Sequence, residues 1–195
     1  MNARRGSSDH TGACVWRTGR QARNAEAHVR RDEIVEELGR VQADFHQLAG
    51  TTTPEELHRR SNGTRWSNRQ LLFHMVFGYV LVRTLLPLVH ALGRLGHSGG
   101  FAATLNAGRR PFHVINYVGS CGGGQLLTTR AQAALLDRTI DALQRKLAAE
   151  TDASLTLSMH FPTAWDPYFT PVMSVQDVYH FATQHYDHHR RQLDL

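Results

Sequence analysis

The chain has 195 residues, enough for one domain that buries roughly 70% of the surface its unfolded form exposes and too few to expect two. Its net charge of +5 suits a nucleic acid or a membrane only if the excess sits on the folded part. It does not: residues 1–31 carry seven arginines against Asp9 and Glu26, and the other 15 basic and 15 acidic residues cancel.

Two cysteines, Cys14 and Cys121, with no CxxC pair and no secretory hydrophobic region, argue against a disulfide framework and for a reducing cytoplasm. Arginine outnumbers the single lysine, Lys146, as in chains from GC-rich bacterial genomes. Residues 1–28 are polar, basic and aperiodic, so they are expected to form a disordered tail ahead of one domain over 29–195.

The first helix is predicted from Ile34, Leu38, Val41, Phe45 and Leu48, which recur at helical spacing and stop near Gly50. Thr53-Pro54-Glu55-Glu56 supplies an N-cap, a first-turn proline and a capping-box glutamate for a short connecting helix ending before Asn62-Gly63. Ser67 with Gln70 opens a second long helix, apolar on most sides, that runs towards Leu95 with Pro87 inside it. Leu71–Val89 is near the lower length limit of a membrane span, but His74, Arg83, Thr84 and Pro87 point to a buried helix instead.

Residues 96–127, with eight glycines, read as a long crossover holding a short helix near Phe112–Tyr117. Thr129 with Gln132 is expected to cap a third long helix through Leu136, Ile140, Leu143 and Leu147. A second irregular stretch, 151–173, carries Phe161, Trp165, Tyr168 and Phe169. Ser174 then caps a fourth helix running to about Leu193. The fold class is all-α: a four-helix bundle with long crossover connections.

Thirteen histidines make spacing alone a weak signal, since about one i, i+4 pair is expected by chance. The face they occupy says more. Val178, Ala182, His185, His189 and Leu193 form one stripe of the last helix, and Leu71, His74, Gly78, Leu81 and Leu85 form one of the second. Three imidazoles thus enter the core, where a cation would satisfy them. Gly78 and Ala182 nearby are small enough to leave room for water or substrate. Periodicity leaves a second arrangement open: His74 bonded to a carbonyl, and His185, His188 and His189 in a solvated cluster.

Other residues carry weaker signals. Trp66 is expected over the start of the second helix, with Asp187 at the surface and Arg190 and Arg191 at a helix C-terminus. Glu55 and His58 have ExxH spacing without the partner motif of di-iron bundles. Cys121 has no base near it in sequence. His113, Asn116, Tyr117, Trp165 and Tyr168 come from the two irregular stretches and could roof the pocket.

Trp66-Ser67 leading into Leu71-Leu72-Phe73-His74, together with His185-Tyr186-Asp187-His188-His189-Arg190-Arg191-Gln192-Leu193, resembles the DinB-like superfamily over about residues 30–195. The resemblance departs at the basic tail, at Arg191 where a glycine is common, and at the glycine-rich crossover. It implies a four-helix bundle whose His74, His185 and His189 bind a divalent metal, zinc or nickel. It further implies a homodimer and a metal-dependent thiol S-transferase acting on a small-molecule substrate with a low-molecular-weight thiol such as mycothiol. The alternative it leaves is a non-catalytic dimerisation or stress-response module. Neither a membrane nor a nucleic acid is an implied partner.

Overall fold

A computed structural model describes the backbone of residues 11–96 and 98–195 and the side chains of 30–96 and 98–195. Of the basic stretch 1–28 expected to form a disordered tail, residues 1–10 lie outside the described residues, and the backbone of 11–28 is instead the first part of a helix that continues to Thr51. The described elements are α1 (Thr11–Thr51), α2 (Pro54–His58), α3 (Asn68–Leu95), α4 (Gly99–Ala107), α5 (Arg109–Leu126), α6 (Thr129–Ala149), α7 (Asp152–Leu155), β1 (Ser158–His160), β2 (Val172–Ser174) and α8 (Val175–Arg190).

The long helices α1, α3, α6 and α8 make the bundle. Both α1 and α3 pack on α6 and α8, so α1 and α3 stand at opposite corners. The predicted stripe of α1 (Ile34, Leu38, Val41, Phe45, Leu48) is buried in one core shared with Leu71, Met75 and Val82 of α3, Leu136, Ile140 and Leu143 of α6, and Val178, Ala182 and Tyr186 of α8. Each such buried aliphatic side chain contributes about 1.5–3 kcal/mol, which is why one apolar stripe per helix is enough to define the corner it occupies. Helix α3 is long and apolar enough to cross a membrane by length and composition, but half of its most apolar window is buried inside the protein.

Capping chemistry sets the helix starts. In α2, Thr53 N–H donates to Glu56 Oε2 at 2.8 Å while the Thr53 hydroxyl accepts from Glu56 N–H. Ser67 with Gln70 does the same for α3, and Ser174 with Asp177 for α8. The cap of α6 is one residue earlier than expected: Thr128, not Thr129, is the extended N-cap and accepts from Ala131 N–H at 3.2 Å. At the other end of α8 the helix stops at Arg190, short of Leu193.

The crossover expected at 96–127 is instead two helices, and the short helix expected at 112–117 is the middle of α5. The glycines there do not loosen the chain. They let α5 lie directly on α3: a Cβ at Gly124 would stand 2.7 Å from Gln70 Cα, and one at Gly123 would collide with the Phe73 ring. The stretch 151–173 likewise holds α7 and β1, and β1 pairs antiparallel with β2 through Ser158–Ser174, Met159–Met173 and His160–Val172. This hairpin-like ribbon returns the chain to the head of α8.

The corner between α2 and α3 is tied to the C-terminus. Fully buried Asn68 donates to Glu56 O (2.8 Å) and Asp194 O (2.7 Å) and accepts from Asp194 N–H (3.1 Å). Asn62 N–H donates to Gln192 O at 2.7 Å. These bonds hold the corner that carries Trp66 against the segment following α8, next to the last turn, where His189 lies.

Candidate metal centre

Helix α3 contributes His74 and α8 contributes His185 and His189, and one nitrogen from each lies within 4.8 Å of the others. His74 and His185 are buried and His189 half-buried. Ring centroids are 4.8 Å apart for His74 and His185, and 4.6 Å for each of the other two pairs. The three residues predicted from two helix stripes therefore form one cluster.

Neighbouring side chains fix the tautomers. The Ser120 hydroxyl of α5 donates to Asn116 O at 2.8 Å, so its lone pairs accept from His74 Nδ1–H at 3.1 Å. Gln192 Oε1 accepts from His189 Nδ1–H at 2.7 Å, while its amide Nε2 donates to His188 Nε2. His188 Nδ1–H is then the donor to Tyr168 Oη at 3.2 Å. With both Nδ1 atoms protonated, the Nε2 atoms of His74 and His189 each present a lone pair, and they face one another at 3.1 Å.

Two lone pairs at that distance repel unless a proton or a cation lies between them. Burial opposes the proton: it lowers the His74 imidazole to about 3, helped by the neighbouring His189 and His188. His189 falls to about 4, mainly through burial, and His185 falls well below its ordinary value for the same reason. A separation of 3.1 Å is what two nitrogens adopt when each sits roughly 2.0–2.1 Å from a shared divalent ion. The His74–His189 pair therefore fits such an ion, and His185 brings a third nitrogen within 4.8 Å of that pair, with hydroxyl and amide groups orienting the pair from behind.

Gly78 lines the cavity beside the histidines, as expected of a small residue there, and has a second role. A Cβ at this position would stand 2.6 Å from His185 Nδ1, so the missing side chain also leaves room for the His185 ring. His185 Nδ1 is buried and has no hydrogen-bond partner among the described residues.

Beside the three histidines is a cavity of about 190 Å³. His113 and Asn116 of α5 and Trp165 line it as expected of roofing residues; Tyr117 stacks behind Trp66 and Tyr168 reaches His188. Trp66 stacks face to face on His74 with centroids 4.4 Å apart, and so forms a wall of the site as well as packing at the start of α3. Sequence reasoning missed Ser120, Gln192 and Asp166. Ser120 carries no motif, and Gln192 enters the sequence reading only within the stretch His185–Leu193, with no role of its own; the packing of α5 and the turn after α8 give them their roles. Burial raises the Asp166 carboxyl above its ordinary range, opposed by Tyr168 N–H.

The remaining candidates lie elsewhere. Asp187 pairs with Arg40 at the surface (2.8 Å), and Arg190 with Asp44 (3.0 Å). His58 bonds Pro54 O within α2, His180 pairs with Glu37, and Cys121 is half-buried on α5.

A helical bundle with a convergent three-histidine cluster on its second and last long helices is the class of protein that these observations define. The family model described as DinB superfamily matches residues 37–193, and the chain belongs to that superfamily. No curated protein and no solved structure matches the chain.

Proposed function

We propose that His74, His185 and His189 hold a divalent metal, zinc or nickel, and that the loaded protein is a cytoplasmic metal-dependent thiol S-transferase using a low-molecular-weight thiol such as mycothiol. The main support is the pair of Nε2 lone pairs at 3.1 Å, each locked by an acceptor behind it. A divalent ion held by three neutral imidazoles, with positions left open, brings the pKa of a bound thiol or water towards neutrality. The residues around it do the rest. Ser120 and Gln192 keep the imidazoles in the ligating tautomer, Trp66 shields His74 from water, and the adjoining cavity holds the acceptor. In the transfer an S–H bond gives way to an S–C bond. The proton goes to solvent, and the displaced electron pair goes to the acceptor's leaving group or conjugated carbon.

A second reading is a non-catalytic dimerisation or stress-response module. The exposed Val114, Ile115 and Val118 on the outer side of α5 favour it, since they give a homodimer an apolar face. Elemental analysis of the wild type beside a His185→Ala/His189→Ala variant is the first test. About one ion per chain, lost in the variant, is expected; metal-loaded protein should then consume thiol with at least one member of an electrophile panel. A metal-free wild type, even after divalent ions are supplied, would end the transferase reading. Chelation separates the two readings further, because a closed structural site melts at much lower temperature without its ion, whereas an open catalytic site need not.

A further inference from the structure

The neutral sum of charge over residues 32–195 conceals a separation. Residues 57–136 carry nine arginines and no aspartate or glutamate, whereas 32–56 carry seven acids against Arg40, and 137–195 eight acids against five bases. The fold keeps these stretches apart. The acid-free stretch builds α3, α4, α5 and the start of α6, with α5 laid on α3; the acid-rich 32–56 lies largely on α1, at the corner opposite α3. Among the described residues none of the nine arginines forms an ion pair.

Helix α5 adds an apolar face to this basic side. From Pro111 to Leu126 it has no Asp, Glu, Lys or Arg. Val114, Ile115 and Val118, which keep 59–67% of their surface exposed, lie on its outer side. Arg110, one turn before Val114, shares that side, with Arg109 beside it and Arg130 beyond the other end of α5, all exposed. Arginines in the first turn oppose the helix dipole, so Arg109 and Arg110 do not serve the stability of α5 itself.

Charge decides what covers this face. A second copy in a two-fold arrangement would bury α5 on α5, but would gather arginines with no carboxylate between them. Laid head to tail, a second copy would offer Glu33 and Glu36 of α1, yet Val35 is the only large apolar side chain exposed on that helix among the described residues. An anionic bilayer presents negative headgroups and apolar chains in one surface, and aliphatic side chains in mid-helix with arginines beyond both ends are the layout of a helix lying in that boundary.

We propose that the outer side of α5 docks the protein on an anionic phospholipid surface, with Val114, Ile115 and Val118 in the apolar boundary and Arg109 and Arg110 at the headgroups. The acidic side of α1 then faces away from the lipid. Docking needs neither the metal nor the thiol, and it occupies the face that a homodimer would otherwise use.

The test is co-sedimentation of the full chain with phosphatidylcholine vesicles, with and without phosphatidylglycerol at about one lipid in three. Binding is expected on the anionic vesicles and not on the neutral ones. An Arg109→Gln/Arg110→Gln variant should lose about 25-fold in partitioning, roughly fivefold for each charge removed from the surface. A Val114→Ser/Val118→Ser variant should lose about tenfold or more. All four side chains are exposed, so melting temperatures should stay near that of the wild type. In a Val118→Trp variant, indole emission should shift to shorter wavelength with the anionic vesicles alone. Both variants must weaken binding. Undiminished binding in either one overturns the proposal, since the arginines of residues 1–31 or charge alone would then account for the affinity. No vesicle binding by the wild type also overturns it, and self-association or capture of an acidic protein that the same variants abolish would then name the occupant instead.

Discussion

At the scale of single residues, the site depends on small features around the three imidazoles. Gly78 faces His185 at a distance that no Cβ can share. A Gly78→Ala substitution should push the His185 ring out of the cluster, lowering metal affinity and costing about 1–3 kcal/mol of stability through overpacking; a zinc titration and a denaturant melt would check both effects. Ser120 and Gln192 act differently, because they touch His74 and His189 and set which nitrogen carries the proton. Ser120→Ala and Gln192→Leu should each weaken metal binding by roughly 10–100-fold while leaving the fold in place, the usual effect of losing an orienting hydrogen bond behind a ligand. Unchanged affinity in both variants would mean that burial alone fixes the rings.

At the scale of elements, helix starts were legible wherever a side chain and a backbone N–H three residues on could satisfy each other. Thr53, Ser67 and Ser174 were read as caps from sequence and are caps in the structure. Thr128 and Thr129 show the limit of that reading: both are threonines next to a helical run, and the choice depends on which one is extended. Since Thr128 is the residue bonded to Ala131 N–H, Thr128→Ala should lower stability by about 1 kcal/mol, whereas Thr129→Ala, already inside α6, should change it little. Thermal melts of the two variants would separate them. Helix α5 is the larger lesson. Its glycines read as a flexible crossover because intrinsic propensity disfavours them in helices by about 1 kcal/mol each. Close packing of Gly123 and Gly124 against Phe73 and Gln70 reverses that preference, and it is this helix that brings Ser120 and Asn116 to the site.

At the scale of the whole molecule, burying three neutral histidines couples folding to pH. Their folded pKa values are depressed, to about 3 for His74 and about 4 for His189, against 6.5 when unfolded. Below pH 6.5 the unfolded chain takes up protons that the folded one refuses. The metal-free protein should therefore hold this share of its stability above about pH 6.5 and lose it progressively as pH falls towards 4 and 3. Melting temperatures across pH 4–8 would show it, with a flatter dependence in a His74→Gln/His189→Gln variant. An equally steep decline in that variant would place the acid sensitivity in the carboxylates instead.

The sequence by itself determined the bundle and singled out the three histidines as candidates for one cluster. Four apolar stripes of helical period must each be buried, and the simplest way to bury four is against one another; His74, His185 and His189 lie on two of those stripes, and the structure turns all three inward where periodicity had left a solvated cluster open. Only the tertiary structure decided how the imidazoles are oriented, what stands behind them and what kind of cavity lies beside them. Gln192 reaches His189, three residues before it, only because the chain turns after α8; Ser120, Asn116 and Asp166 are near the histidines through contacts between elements distant in sequence. Such contacts leave no periodic trace, because a polar residue that meets its partner across a helix interface has the same local sequence environment as one that faces solvent.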